Sequence, residues 1–186
     1  MGNILKKQIT KYLKEEIKLM IVGLDAGGKT TMLYKTKLDV QTTIPTIGIY
    51  LETIEYKNLM IYSWDLNTGL RLGPLYRHYY QMMNGIIIVV DSNDIERMDE
   101  LKEELHTILK EDLLKGLPLL IFSNKRDLPN SLNENELIDK LDLDLIRYRK
   151  WKIQESCAIT GEGFYEGMEW MFKNLEIKCN LDESDN

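Results

Sequence analysis

The sequence predicts an α/β fold, with a mostly parallel six-stranded sheet that carries helices on both faces. Short apolar runs alternate along the chain with segments of helical periodicity, which is the pattern of strands joined by crossover helices. Two of the runs, GIIIVV and LPLLIF, are apolar throughout, as expected for strands covered on both sides. The length of 186 residues favours one folded domain with a substantial core.

The individual elements follow from these patterns. The predicted strands are apolar or alternating runs at 17–23, 49–56, 59–64, 86–91, 118–123 and 152–156. The predicted helices carry apolar residues three and four positions apart and lie at 29–38, 75–83, 96–113, 134–141 and 164–176. Only Lys57 and Asn58 separate the second and third strands, which predicts a tight hairpin.

Residues 23–30, GLDAGGKT, match the phosphate-binding pattern G-x-x-x-x-G-K-S/T. A predicted strand precedes them and a predicted helix follows, which is the context that the pattern requires. Glycines let backbone N–H groups close around phosphate oxygens, and the start of the helix adds a positive dipole. We expect Lys29 to reach the outer phosphates and the Thr30 hydroxyl to bind Mg²⁺. The predicted phosphate contacts are Gly23, Leu24, Asp25, Ala26, Gly27, Gly28, Lys29, Thr30 and Thr31.

A second polar motif follows the strand LPLLIF and contains N-K-x-D, with Asn124, Lys125 and Asp127. A carboxylate at Asp127 can accept both the ring N–H and the exocyclic amine of guanine, a donor pair that adenine lacks. The stem of Lys125 can lie over the base. After the last strand, Cys157 and Ala158 offer backbone N–H groups, and that of Ala158 can donate to the guanine carbonyl. These motifs together predict a guanine-nucleotide site.

The composition and the charge of the chain argue against several classes of protein. The net charge of −6 disfavours nucleic-acid binding, and two cysteines give no disulfide framework. No segment has the length of a transmembrane helix. Charge is uneven, because residues 1–16 are rich in lysine and residues 179–186 are acidic and predicted to be disordered.

The chain resembles small GTPases of the ADP-ribosylation factor (Arf) and Arf-like family, over nearly its whole length. The motifs that carry the resemblance are MGN at the start, GLDAGGKTT, TTIPTIG at 42–48, LETIEYKN, WD at 64–65, PLYRHYY, VVDSNDIER, SNKRDLPN and SCAITGEGFYEGMEW. The resemblance implies the P-loop NTPase fold of small GTPases, with GTP or GDP and Mg²⁺ as cofactors. We expect a GTPase domain at 17–178, between an N-terminal helix at 1–16 and the acidic tail at 179–186.

The resemblance also implies roles for single residues. Thr46 would join Mg²⁺ when the γ-phosphate is present, and Asp65 would hold Mg²⁺ through water. The hairpin between the two switches would slide and couple the nucleotide to the N-terminus. Three apolar or aromatic residues would face effector proteins, unless they are ordinary packing residues: Ile49, Trp64 and Tyr79.

The sequence departs from the family at residues 65–69, which read DLNTG where the family has DVGGQ. Thr68 replaces the glycine whose N–H swings onto the γ-phosphate, and its β-branched side chain restricts the backbone. Gly69 replaces the glutamine that orients the attacking water, so no catalytic residue is predicted there. Three outcomes stay open: slow hydrolysis with retained binding, a GDP-biased or nucleotide-poor switch, and hydrolysis through a substitute such as His78 or a partner. For His78, as for His106, a surface or packing role is the alternative.

The N-terminus resembles a membrane anchor. Gly2 is placed for N-myristoylation, although Lys6 stands where the strict motif has Ser or Thr. The segment NILKKQITKYLK is amphipathic and basic, which suits a membrane surface or docking on its own domain.

We therefore predict a monomeric, Arf-like guanine-nucleotide switch that recruits effectors to membranes in vesicle trafficking. The expected location is the cytoplasm, with reversible attachment to the Golgi or another endomembrane. The expected partners are an exchange factor and effectors, with a GTPase-activating protein left open. Two alternatives are a non-hydrolysing or GDP-biased scaffold and, less favoured because of the N-K-R-D motif, a phosphotransfer kinase.

Overall fold

The computed structural model describes residues 16–35, 41–43, 52–56, 59–65 and 74–175. The strands of the described residues are β1 (Ile17–Gly23), β2 (Gln41–Thr43), β3 (Glu52–Tyr56), β4 (Leu59–Asp65), β5 (Gly85–Asp91), β6 (Leu119–Asn124) and β7 (Trp151–Glu155). The helices are α1 (Lys29–Lys35), α2 (Pro74–Tyr80), α3 (Met98–Leu109), α4 (Glu134–Lys140) and α5 (Phe164–Asn174).

The strands form one sheet in the order β2-β3-β4-β1-β5-β6-β7. Five of them, from β4 to β7 in this order, pair in parallel, while β3 and β2 extend one edge in antiparallel pairing. The α/β class and the mostly parallel sheet are confirmed, but the predicted count of six strands is wrong. β2 was not predicted because its three residues, QTT, are too few and too polar to form an apolar strand pattern.

Most element boundaries agree with the predictions to within two residues. The largest difference is in the predicted helix 96–113, which divides into a 3-10 turn at Ile95–Arg97, α3, and a second 3-10 turn at Asp112–Leu114. The extended backbone of Glu111, with φ −64° and ψ 124°, separates α3 from the second turn. α2 ends three residues before its predicted end. Residues 36–38 of the first predicted helix and residues 49–51 of the second predicted strand lie outside the described residues, and β3 is described from Glu52.

The core lies on both faces of the sheet. Alternate residues of β5 point to opposite sides, so that Ile86 and Ile88 pack with one helix layer and Ile87 and Val89 with the other. The first layer contains the buried residues of α3: Met98, Leu101, Leu105 and Ile108. The second contains the buried side chains of α5, among them Met168, Met171 and Phe172. Burial on both sides explains why the central strands are continuously apolar.

Parallel pairing puts the carboxyl ends of β1, β5, β6 and β7 at one edge of the sheet. The loops that begin after Gly23, Asn124 and Glu155 are therefore neighbours, although they are far apart in sequence. No helix among the described residues is both long enough and apolar enough to span a bilayer.

Candidate nucleotide site

The loop after β1, residues 23–28, has the backbone of a tight anion cradle. Ala26 and Gly28 have positive φ angles of 57° and 99°, and the Gly27 N–H closes a turn onto the Leu24 carbonyl at 3.3 Å. Alternation of right- and left-handed conformations turns successive N–H groups toward one concavity, which suits an anion. A Cβ at Gly23 would collide with the Val89 carbonyl oxygen, so the backbone of β5 lies directly against the start of the loop.

Lys29 is a buried cation at the start of α1. Its side chain folds over the loop, and Nζ donates to the carbonyls of Gly23 at 2.9 Å and Leu24 at 2.7 Å, with the residue only 6% exposed. Thr30 and Thr31 follow it and are exposed. A positive charge therefore lies within the cradle, with a hydroxyl beside it.

Asn124 connects the three loops at this edge. Its Nδ2 donates to the Gly27 carbonyl at 2.8 Å, and its Oδ1 accepts from the Ala158 N–H at 2.8 Å. The residue is 1% exposed, and a Cβ at Gly28 would collide with Nδ2, so the fit is close. In this structure the Ala158 N–H bonds to Asn124, and its donation to a guanine carbonyl stays a prediction.

The loop 124–127 is also held from its other side. Lys125 has a positive φ of 62°, and its Nζ pairs with the Asp91 carboxylate at the end of β5. The Arg126 N–H donates to the Ser156 carbonyl at 3.3 Å, which joins this loop to residues 156–158. Asp127 is exposed, so its carboxylate is accessible to a ligand. Cys157 is buried, and its N–H donates to the Glu162 carbonyl at 3.1 Å.

A contact that no sequence pattern predicted joins the phosphate loop to the segment after β5. Arg97 Nη1 lies 2.6 Å from Asp25 Oδ1, and Arg97 Nε lies 2.6 Å from Asp94 Oδ2. The hydrogen bond to Asp94, and next the one to Asp25, raises the pKa of Arg97 above its usual value. Arg97 belongs to the motif VVDSNDIER, but its spacing from Asp25 in sequence gave no signal of the contact.

Several predicted residues lie outside the described part of the chain. They are Gly2, Thr46, Ile49, Thr68 and Gly69. The backbone of Asp65 ends β4 and pairs with Gly23, so this residue begins its loop beside the phosphate cradle. Trp64 pairs with Val22 in the same ladder. The structure describes the backbone of Trp64 and Asp65 but not their side chains.

The remaining aromatic and histidine residues have ordinary packing contacts. Tyr79 is half-buried, with its ring centroid 5.7 Å from that of Tyr62 and 6.1 Å from that of His78. His78 is exposed, while a ring nitrogen of His106 lies 2.9 Å from the Leu141 carbonyl. Packing is thus sufficient to explain both histidines.

The geometry fits a nucleoside phosphate. The cradle is too tight for a Cβ at Gly28, it carries a buried ammonium, and it is bonded through Asn124 to the loop with the exposed Asp127 carboxylate. Such a site can hold an anionic phosphate chain at one end and a base with adjacent N–H donors at the other.

Comparison with known families agrees with this fit. The model of the ADP-ribosylation factor family, Arf, matches residues 1–175 of the chain. The match covers all the described residues, and it confirms the family resemblance and the small-GTPase fold that the motifs predict.

We expect Asn124→Ala to lower the free energy of unfolding by about 2 kcal/mol or more, because the Gly27 carbonyl and the Ala158 N–H would lose their buried partner. Urea unfolding of the two proteins measures this difference. Asn130→Ala is the matched control, since Asn130 is exposed and its loss should change stability by less than about 0.5 kcal/mol. Equal effects of the two substitutions would show that Asn124 does not join the loops.

Proposed function

The chain belongs to the ADP-ribosylation factor family of GTP-binding switch proteins, and from that premise we propose how its switch works. It binds GTP or GDP with Mg²⁺, recruits effector proteins to membranes in vesicle trafficking, and hydrolyses GTP very slowly. The observation that carries the nucleotide part of this proposal is the double hydrogen bond of Asn124, which fixes the phosphate loop against the base loop.

The base is selected by Asp127. Its exposed carboxylate accepts the ring N–H and the exocyclic amine of guanine, and adenine would leave it without these donors. The pairing of Lys125 with Asp91 supports an extended stem over the base. Ala158 lies beside the same pocket, and its N–H, which donates to Asn124 Oδ1 in this structure, would share this bond with the guanine carbonyl when a nucleotide binds.

The phosphates are held by the loop 23–30. Its concave backbone and Lys29 supply positive potential, and Thr30 supplies a hydroxyl ligand for Mg²⁺. Asp65, whose backbone pairs with Gly23, would hold the ion through water, and Thr46 would join when a γ-phosphate is present, as the family resemblance implies. When bound, Mg²⁺ would supply charge neutralisation at the phosphate oxygens.

Hydrolysis is slow because Gly69 has no side chain to orient the attacking water. Even small GTPases that have a glutamine for this purpose turn over at only about 10⁻⁴ per second unaided. A partner's arginine would stabilise charge but would not position the water. We propose that the GTP-bound form is correspondingly long-lived and that GTP-dependent effectors stay bound for as long.

The second candidate is a scaffold that is biased toward GDP or does not hydrolyse GTP. The presence of Thr68 favours it, because a β-branched residue restricts the backbone where the family needs a glycine N–H to reach the γ-phosphate. In this case the nucleotide stabilises the fold, and the protein surface carries the function.

The membrane part of the proposal depends on residues 1–16. An acyl chain at Gly2 gives only a marginal association constant of about 10⁴ M⁻¹, and the basic amphipathic segment adds to it. The protein would then act as a cytoplasmic monomer that attaches reversibly to the Golgi or another endomembrane. Its regulators would be an exchange factor and, for any hydrolysis in the cell, a GTPase-activating protein.

Guanine selection can be tested with GDP and inosine diphosphate, which lacks the exocyclic amine. We expect the protein to prefer GDP by about tenfold, because the amine donates to a carboxylate, and Asp127→Ala to lose this preference. Calorimetry in Mg²⁺ measures both affinities. Asp139→Ala, at an exposed aspartate of α4, should keep the preference. Equal binding of ATP and GDP would refute the proposal.

The role of Gly69 can be tested by single-turnover GTP hydrolysis. We expect the rate of the natural protein to lie below about 10⁻⁴ per second and Gly69→Gln to raise it, because the amide can orient water. Gly69→Ala is the control, since it restricts the backbone without supplying an amide. The proposal fails if the natural protein hydrolyses GTP as fast as Gly69→Gln.

The acyl anchor can be tested by binding to neutral liposomes. The protein is co-expressed with an N-myristoyltransferase, and its acylation is verified by mass spectrometry. We expect Gly2→Ala to lose binding in sedimentation, because it cannot be acylated. Asn3→Ala, which keeps Gly2, should retain it. Unchanged binding of Gly2→Ala would rule out the anchor.

A further inference from the structure

A cavity of about 480 Å³ lies at the edge of the sheet opposite to the nucleotide site. It is formed by the end of α3, by the residues just before β6 and by residues 145–149 just before β7. Its volume lies in the range of about 300–1,000 Å³ that is typical of ligand sites. The cavity is distinct from the nucleotide loops, which follow the opposite ends of these strands.

The walls of the cavity combine cations with aliphatic side chains. Four cations line it, and no carboxylate does; the cations are Lys110, Lys115, Arg147 and Arg149. Lys115 is compensated, because its Nζ lies 2.6 Å from Asp112 Oδ1 just outside, and this contact lowers the pKa of Asp112. Within the described part of the chain, Lys110, Arg147 and Arg149 have no carboxylate within salt-bridge distance.

Arg149 is the most strongly desolvated of these cations. Its Nη2 donates to the Leu109 carbonyl at 3.1 Å, at the end of α3, while its buried Nη1 has no hydrogen-bond partner among the described residues. Burial lowers the pKa of Arg149. The helix end offers only a partial negative charge, so an anion in the cavity would supply the missing counter-charge.

The rim of the cavity carries two exposed apolar side chains. Tyr148 is 92% exposed and Leu145 is 67% exposed, on either side of Ile146 and Arg147. Tyrosine beside lysine and arginine suits the boundary between lipid headgroups and acyl chains, where one part of the residue is apolar and the other is hydrated. A soluble anion would leave both apolar side chains in water.

The position of the cavity also favours a membrane. β1 runs parallel to β5, β6 and β7, so Ile17 begins β1 at the same edge of the sheet as the cavity. The lysine-rich residues 1–16 directly precede Ile17. An anionic surface at this edge would therefore lie where the lysine-rich segment joins the folded domain.

From these observations we propose that the cavity and its rim, residues 145–149 with Lys110, bind the phosphate headgroup of an anionic phospholipid in a membrane. The uncompensated cations hold the phosphate, and Tyr148 and Leu145 enter the interface. This contact goes beyond the proposed function and needs neither the acyl chain nor a particular nucleotide.

The test uses the full chain without an acyl group, bound to GDP, and vesicles of phosphatidylcholine with or without phosphatidylserine. Each cation near an anionic surface contributes about fivefold to binding, so we expect Arg147→Glu to weaken binding to anionic vesicles about twentyfold. Asn130→Glu is the control, because it also adds an acidic side chain at an exposed site, but in the loop after β6 at the nucleotide edge, away from the cavity. Sedimentation should show little loss for the control.

Two further measurements separate the parts of the site. Tyr148→Ala should weaken binding to anionic vesicles without changing its salt dependence, whereas Arg147→Glu should lower that dependence. Equal losses in Arg147→Glu and Asn130→Glu, or no loss in either, would overturn the proposal. So would Arg147-dependent binding of glycerol phosphate or an acidic peptide without binding to vesicles. A failure of GDP binding would refute the proposed function but would leave the difference between these variants interpretable.

Discussion

The nucleotide site depends on one buried amide. Asn124 donates to the Gly27 carbonyl and accepts from the Ala158 N–H, so a single side chain joins the loops after three strands. The arrangement requires an amide, because a carboxylate could not donate and an aliphatic side chain could do neither. At 1% exposure, its loss would leave two buried polar groups without a partner, and each costs about 1–3 kcal/mol. The close approach of Gly28 to this amide explains why a side chain is not tolerated there.

The ion pairs around Asn124 hold the loops in position, but they contribute little to the stability of the fold. Arg97 connects Asp25 of the phosphate loop to Asp94, but about a third of its side chain is exposed, so solvent screens the pair. The pair between Lys125 and Asp91 fixes the direction of the lysine stem after a residue with positive φ. Together with the hydrogen bonds of Asn124, these ion pairs restrict how far the loops of the site can move relative to one another.

The sequence predicted the parts of the structure that have local signals. The continuous apolar runs of β5 and β6 predicted buried central strands, and GLDAGGKT predicted a cradle between a strand and a helix. The polar strand β2 was missed, because it is stabilised by pairing with β3 and not by its own composition. The contact of Arg97 with Asp25 joins residues 72 positions apart, and no spacing rule covers such a distance. The same is true of the cavity before β7, because its walls come from three separate segments.

The pairing of β4 with β1 restricts how a nucleotide signal can cross the sheet. Seven consecutive residue pairs join these strands, from Ile17 with Leu59 to Gly23 with Asp65. Ile61 packs on one face of the sheet and Tyr62 on the other. A slide of β4 by one residue would turn each of its side chains to the opposite face of the sheet, so that Ile61 and Tyr62 would pack against the other helix layer. If the hairpin slides, as the family resemblance implies, a step of two residues, about 6.6 Å along the strand, would keep each side chain on its own face of the sheet. Such a step would move Asp65 at the nucleotide edge and Leu59 at the opposite edge together, and so would link the site to the edge at which Ile17 begins β1.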